Sequence, residues 1–367
     1  MPIRPDALMA RLPRTIGLSN DRLETLVVLI QGVINARTVN LSHLAGSFCG
    51  SAKVSSNYRR LQRFFQHVWL DEDWLAKVVV ALLGLKPPYR LCLDRTNWRV
   101  GRKEVNLLVL CIATQRVRIP VLWHILDYRG GSSMAQRMAL LTRFMALFGK
   151  KSIKLLLGDA EFIGNQWFEF LVENDIPFVI RVSGHLHVCL EDGYEGPLKR
   201  LLRSAASRRR LMKAKGCFLN MQQRFGAALS FGASKLSDGS WLIVATNCGP
   251  RKALNAYRQR WQIECLFGET KTRGFNMEDT HLTQPPKLAL LLSIIALAIA
   301  WTHACARAVW PQGDIPRAKH GYRRKSWFRT GFDILRHWIF AKPDDALDIW
   351  NTIWKRVPNR FNKPRVV

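Results

Sequence analysis

The stretch RLCLDRTNWRVGRKEVNLLVLCIATQRVRIPVLWHILDY, residues 90–128, holds three apolar runs rich in β-branched residues. Short polar turns at Gly101-Arg102-Lys103 and Thr114-Gln115 part them, so three neighbouring strands are predicted. Downstream the texture alternates. MAQRMALLTRFMALFG (134–149) has helical periodicity and IKLLLGDAEF (153–162) reads as a strand. A helix follows around NQWFEFLVEN (165–174), then a strand at PFVIRV (177–182).

Three adjacent strands followed by alternating helix and strand predict an α/β fold, a ribonuclease-H-like mixed sheet, over residues 87–183. Upstream, residues 1–86 read as an all-α region, with apolar steps of three and four in DRLETLVVLIQGVINA (21–36) and DWLAKVVVALLGL (73–85). Between these lie a short helix capped by Asn40, a turn at Cys49-Gly50-Ser51, and a second helix capped by Ser55 or Ser56. That second helix carries Arg59, Arg60 and Arg63, the outline of a helix-turn-helix presenting charge to a DNA groove. A helical bundle with a solvated basic face explains the same pattern.

Residues 184–247 break the alternation and read as a β-rich insertion around a basic linker, KRLLRSAASRRRLMKAK (199–215), which includes Arg208, Arg209 and Arg210. Its eight cations without an acid predict contact with DNA phosphates. Helical texture returns from Lys252 to Phe267 and from Pro286 to Ala308, so residues 248–310 complete the core. Residues 311–367 form a basic C-terminal region rich in Arg, Lys and Trp.

With 367 residues, 48% of them hydrophobic, the chain can bury a large core. Its 56 Lys and Arg against 27 Asp and Glu give a net charge of +29, a field that attracts polyanions, and nucleic acid is the expected partner. The eight cysteines stand at no spacing that suits a zinc or redox motif, and MPIRPDALMARLPRT has no apolar leader core. Both features predict a reducing, cytoplasmic setting. The apolar run Leu288 to Trp301 falls short of the roughly 20 residues a membrane span needs, so a buried helix is expected and no membrane partner.

Phosphoryl transfer on DNA by two divalent ions needs carboxylates gathered from separate elements, with hard oxygen ligands that suit magnesium. Three acids stand out. Asp94 follows apolar Leu91 and Leu93 on the first strand, where a carboxylate must be paired or hold metal. A salt bridge to Arg95 or Lys103 is the alternative. Asp159 ends the run IKLLLGD, where ligands bind in open α/β sheets, with Gly158 letting the backbone bend. Capping of the next helix is its alternative. Glu264 lies in AYRQRWQIECLFGETKTRGF, where helical phase puts Tyr257, Arg260, Glu264 and Lys271 on one face. Ordinary i,i+4 ion pairs would use the same spacing.

The unbroken pattern Tyr-x2-Arg-x3-Glu-x6-Lys from Tyr257 to Lys271 resembles the signature of the DDE transposases of the insertion-sequence-four family, the bacterial cut-and-paste group. Asp94-Arg95-Thr96 matches the surroundings of that family's first carboxylate. Asp159-Ala160-Glu161-Phe162 matches its Asp-Arg-Glu-Phe motif except at Ala160. Separations of 65 and 105 residues between successive carboxylates fit its β-rich insertion. The resemblance covers roughly Tyr89 to His281.

It implies that Asp94, Asp159 and Glu264 are catalytic and hold two magnesium ions, with manganese as a substitute. Asp94 would bridge both ions, Arg260 and Lys271 would grip phosphates, Tyr257 would touch the backbone near the cut, and Trp261 would stack on a displaced base. The implied partners are transposon-end and target double-stranded DNA, with a homodimer in the synaptic complex on a bacterial nucleoid. The implied reaction binds terminal inverted repeats, cleaves through a hairpin and transfers strands.

Two other groupings carry less. His185 and His187 alternate as on one strand face but lack a third ligand, and Arg129-Gly130-Gly131-Ser132 reads as a turn after a strand, without the Lys of a phosphate-binding loop.

Overall fold

The computed structural model describes residues 3–12, 16–48, 50–126, 128–190, 193–203, 209–220, 223–225, 229–311, 314–319 and 321–358. Among the described residues, five α-helices come first: α1 (Pro5–Met9), α2 (Asn20–Ala36), α3 (Leu41–Leu44), α4 (Val54–His67) and α5 (Glu72–Leu82). Asn40 caps α3 as predicted, accepting from the Ser42 amide at 3.1 Å. Neither Ser55 nor Ser56 caps α4. That helix starts at Val54, ahead of both, and its N-cap, Lys53, makes no side-chain bond.

The three predicted strands are β1 (Tyr89–Val100), β2 (Lys103–Ala113) and β3 (Arg118–Leu126). They form an antiparallel meander. Gly101 adopts the left-handed φ of 59° in the tight turn between β1 and β2. From Val105 to Ala113 every residue of β2 is buried, which explains a continuous apolar run in place of an alternating one.

Next come α6 (Met134–Phe148), begun by a reciprocal Ser133/Gln136 cap, β4 (Ile153–Gly158), α7 (Asn165–Glu173) and β5 (Phe178–Arg181). The helices are the crossovers that let β4 lie parallel to β1 and β5 parallel to β4.

Beyond Gly184 the chain forms β6 (His187–Leu190), β7 (Glu195–Pro197), α8 (Leu198–Arg203), β8 (Arg209–Asn220), β9 (Gln223–Phe225), β10 (Leu229–Lys235) and β11 (Trp241–Thr246). The strands predicted as an insertion extend the core sheet. The order is β3-β2-β1-β4-β5-β11-β10-β8-β6-β7, with β9 beside β8 and β11 antiparallel to β5. Much of the expected basic linker is likewise regular structure, in α8 and β8. His185 sits in a turn beside Lys199 while His187 opens β6, so the two do not share a strand face.

The chain then runs through α9 (Pro250–Tyr257), α10 (Trp261–Thr270) and α11 (Pro285–Val309). At 25 residues α11 is longer than its apolar run. It is long and apolar enough to cross a membrane, yet 94% of its most apolar window is buried inside the protein. A helix apolar on all sides is a core helix here.

The basic C-terminal region holds α12 (Trp327–Ala341) and α13 (Pro343–Trp354), both packed on α11. Trp327, Phe328, Phe332, Leu335 and Ile339 recur at helical steps and are buried. Gly331 permits the closeness of α12 to α11, since a Cβ there would lie 2.0 Å from the Thr302 carbonyl oxygen. The first described residues are tied to α12 and α13: the Trp350 indole donates to the Leu8 carbonyl at 3.1 Å, and the Ile3 amide to that of Ile339 at 3.2 Å.

Candidate active site

The parallel pairing of β1 with β4 builds the site. Leu93 is registered with Gly158, so Asp94 and Asp159 are the next residues along two neighbouring strands. Asp159 lies just past the carboxyl end of β4, where backbone hydrogen bonding to the neighbour has ended and side chains face an open edge. It caps no helix: α7 starts at Asn165 after Gly164. Gly158 is not forced by sterics, because its φ is not left-handed and an added Cβ would meet only ordinary contacts at 3.4 Å. The bend follows Asp159 instead, where the Phe162 amide donates to the Asp159 carbonyl at 3.0 Å and the Phe162 ring is fully buried.

The third acid arrives on a broken helix. Between α9 and α10 the chain tightens into a 3-10 turn at Arg258–Arg260, so the single helix predicted from Lys252 to Phe267 is two. Tyr257, Arg260 and Glu264 still face the sheet. The Arg260 guanidinium donates to Asp94 Oδ2 at 2.9 Å and pairs with Glu264, while the Tyr257 hydroxyl donates to Asp159 Oδ1 at 3.2 Å. All three acids are thereby tied to one helical segment.

Lys271 departs from that face, because α10 ends at Thr270 and the chain turns back. Gly274 packs against the Glu269 carbonyl so closely that a Cβ would lie 2.0 Å from it. Lys271 Nζ donates to the Asn97 carbonyl at 3.0 Å and pairs with Glu278 at 2.8 Å. It therefore sits beside β1, three residues beyond Asp94. Trp261 is 58% exposed at the start of α10, so it is no part of the core.

Electrostatics mark the site. Burial pushes the Asp94 carboxyl up to about 6; the Arg95 amide and Arg260 pull it down, and Asp159 and Glu161 push it further up. Burial also raises Tyr257, with Arg260 opposing and Asp159 adding to the rise, so this hydroxyl keeps its proton and donates it. Burial lowers Arg260, but Tyr257, Asp159, Asp94 and Glu264 together outweigh it and hold the cation above its ordinary value. Charge is concentrated where water is scarce.

A second layer was not assigned from sequence. The Arg95 side chain turns away from Asp94 to pair with Glu161 at 3.1 Å, and its Nη1 donates to Asn106 Oδ1 at 3.1 Å. Fully buried Asn106 donates to the carbonyls of Tyr128 and Gly130 at 3.1 and 3.0 Å, holding the turn after β3. The cation beside Glu161 thus comes from β1, where position 160 is Ala. A polar residue inside the apolar run of β2 was the available signal. On the other side, Arg118 of β3 grips Glu269 through Nε at 2.8 Å and Gln262 at 2.8 Å, fixing α10 to the sheet.

A family model described as the transposase DDE domain matches residues 86–301, more than half of the chain and all of the carboxylate elements. The chain belongs to the DDE transposase family. No curated protein matches it. For a DDE transposase the mixed α/β sheet and its flanking helices are the fitting scaffold, and the family implies action on DNA. DDE transposases typically use divalent metals.

The donor set fits such an ion: hard carboxylate oxygens from three elements, with the Asp94 carboxyl pushed up to about 6 chiefly by burial and further by Asp159 and Glu161, a cost that a cation would relieve. Among the described residues no three acids, histidines or cysteines are gathered as a metal cage. Arg260 lies between Asp94 and Glu264 and neutralises them in that role.

The remaining predicted residues lie elsewhere. Arg59 and Arg63 are exposed on α4. Arg60 is held inward, pairing with Glu24 at 2.7 Å, donating to Thr25 at 2.9 Å and lying over the Phe48 ring, so it does not present its charge to a groove. Arg209 and Arg210 lie on β8, and Arg208 falls outside the described residues.

Proposed function

We propose that this DDE transposase moves its own element by cut-and-paste, as in the insertion-sequence-four family, on a ribonuclease-H-like core. The strand order β3-β2-β1-β4-β5 supports the core assignment. The observation that carries the site is the β1–β4 register, which sets Asp94 beside Asp159, together with Arg260 linking Asp94 to Glu264. Asp94, Asp159 and Glu264 would hold two magnesium ions, or manganese. When bound, such ions supply the positive charge that activates an attacking oxygen and stabilises a leaving one.

The protein's own side chains do the rest. Tyr257 orients the Asp159 carboxylate through its hydroxyl proton. Arg260, displaced from the carboxylates, and Lys271, beside β1, hold phosphates flanking the cut by charge-assisted bonds. Trp261 offers an exposed indole on which a displaced base stacks. Arg59 and Arg63 on α4, with Arg208, Arg209 and Arg210, bind the backbone of the inverted repeats.

In this reading residues 1–86 bind DNA, 87–183 and 248–310 form the catalytic core, and 184–247 and 311–367 extend it. A homodimer pairs two ends on the bacterial nucleoid. The test is a gel assay on a labelled end-bearing duplex with magnesium. Nicks, hairpins and strand-transfer products support transposition, whereas nicks alone, without preference for the repeats, would show a hydrolytic nuclease.

A further inference from the structure

A cavity of about 430 Å³ opens between α3, α4 and the start of α11, away from the carboxylates. Its wall carries Arg63 and Lys287, the amides Gln62 and Gln66, and the rings of Tyr58 and His281, with no Asp or Glu. Lys287 lies in the first turn of α11, where the positive end of a 25-residue helix adds to its charge. The volume is that of a small-molecule pocket, more than a lone phosphate fills.

The segment bearing His281 also bears Glu278, the partner of Lys271 beside β1, and Asp279, which accepts from Thr38 next to α3. The Asn40 amide closes the join by meeting the His281 ring at 3.4 Å. A strand leaving Lys271 would therefore meet this cavity along one continuous segment.

We propose that the cavity binds one unpaired nucleotide of the DNA strand. Arg63 and Lys287 neutralise its phosphate, Tyr58 and His281 offer rings to its base, and Gln62 and Gln66 present the amide pattern that reads base edges. This rests on the DNA binding proposed above. The unpaired nucleotide has two sources, a strand end or an internal nucleotide that has left the stack.

The test measures binding of the full chain, over a range of salt, to three duplexes of one sequence: blunt, with a single-stranded overhang, and with an internal bubble. Wild type should prefer one unpaired duplex over blunt DNA by at least about fivefold, the low end of one stacked base. Preference for the overhang identifies a strand end; preference for the bubble identifies an extruded nucleotide. Lys287→Ala should abolish that preference and lower the salt slope on the preferred DNA by about 0.7, one single-strand phosphate, while blunt binding stays within about twofold. Gln66→Ala, exposed and safe for folding, should weaken the preference without changing the slope. Equal binding to all three duplexes, or a preference that survives Lys287→Ala, overturns the proposal. Wild type that binds no duplex at all would instead overturn the DNA-binding reading itself.

Discussion

Arg260→Ala removes the cation that bonds both Asp94 and Glu264. An exposed ion pair contributes about 0.3–0.5 kcal/mol, and stripping one partner from a fully buried pair costs about 3–5 kcal/mol. Arg260 and Asp94 keep 13% and 16% of their side-chain exposure, so the loss should fall between, at about 1–3 kcal/mol without metal. Thermal unfolding in chelator should show it as a midpoint lowered by a few degrees. Saturating magnesium should then raise the variant's midpoint more than that of wild type, where the ion must first displace the guanidinium, and the two midpoints should converge. Cleavage at saturating DNA should still fall tenfold or more, because a phosphate left about 1 Å out of place slows such chemistry by roughly a hundredfold. Equal midpoints in chelator, or equal magnesium shifts in both proteins, would refute the reasoning and leave Arg260 as a surface ion pair.

Three further outcomes are expected. Folded Asp94 keeps its proton to about pH 6, against 3.8 ordinarily, so the folded state binds more protons between these values. Metal-free stability should therefore fall as pH rises from about 4 to about 6, the magnesium-induced midpoint rise should grow over the same window, and Asp94→Asn should abolish the magnesium trend and lessen the other, leaving the fall that Glu269, raised by burial to about 7, contributes. Arg118→Ala leaves the Glu269 carboxyl, already raised to about 7 by burial, to take up a proton without its ion-pair partner, and should lower unfolding free energy in denaturant melts by about 1–3 kcal/mol; no measurable change would show that the pair does not anchor α10. Combined Arg59→Ala and Arg63→Ala should reduce the slope of log affinity against log salt by about 1.8, and an unchanged slope would return α4 to a solvated face.

The strands and both aspartates were legible because a β-strand writes its burial directly into the sequence and a carboxylate inside such a run has few ordinary uses. Glu264 was legible by its spacing to Tyr257 and Arg260, although that spacing spans a 3-10 turn that no residue type announces. Lys271 was placed one helical step too far, since helical phase cannot foresee where a chain reverses. Arg60 looked like its neighbours Arg59 and Arg63, and only packing decides which of three adjacent cations finds Glu24. The roles of Arg95, Glu161 and Asn106 were hidden for the same reason: their partners lie 11 and 66 residues apart and meet only across the folded sheet. The helices α12 and α13 were masked by the Arg and Lys residues around them, such as Arg323, Arg324, Lys325, Lys342, Lys355 and Arg356, while the buried Trp and Phe steps lie within the helices themselves.

In the proposed reaction Asp94, Asp159 and Glu264 act together on DNA. The decisive assay is magnesium-dependent cleavage of an end-bearing duplex by wild type and by Asp94→Ala, Asp159→Ala and Glu264→Ala, each checked for DNA affinity. Every variant should lose cleavage while binding DNA as wild type does, because removing one ligand dismantles the metal site and not the DNA surface. Cleavage above a few per cent of wild type in any one variant would contradict the assignment of that carboxylate.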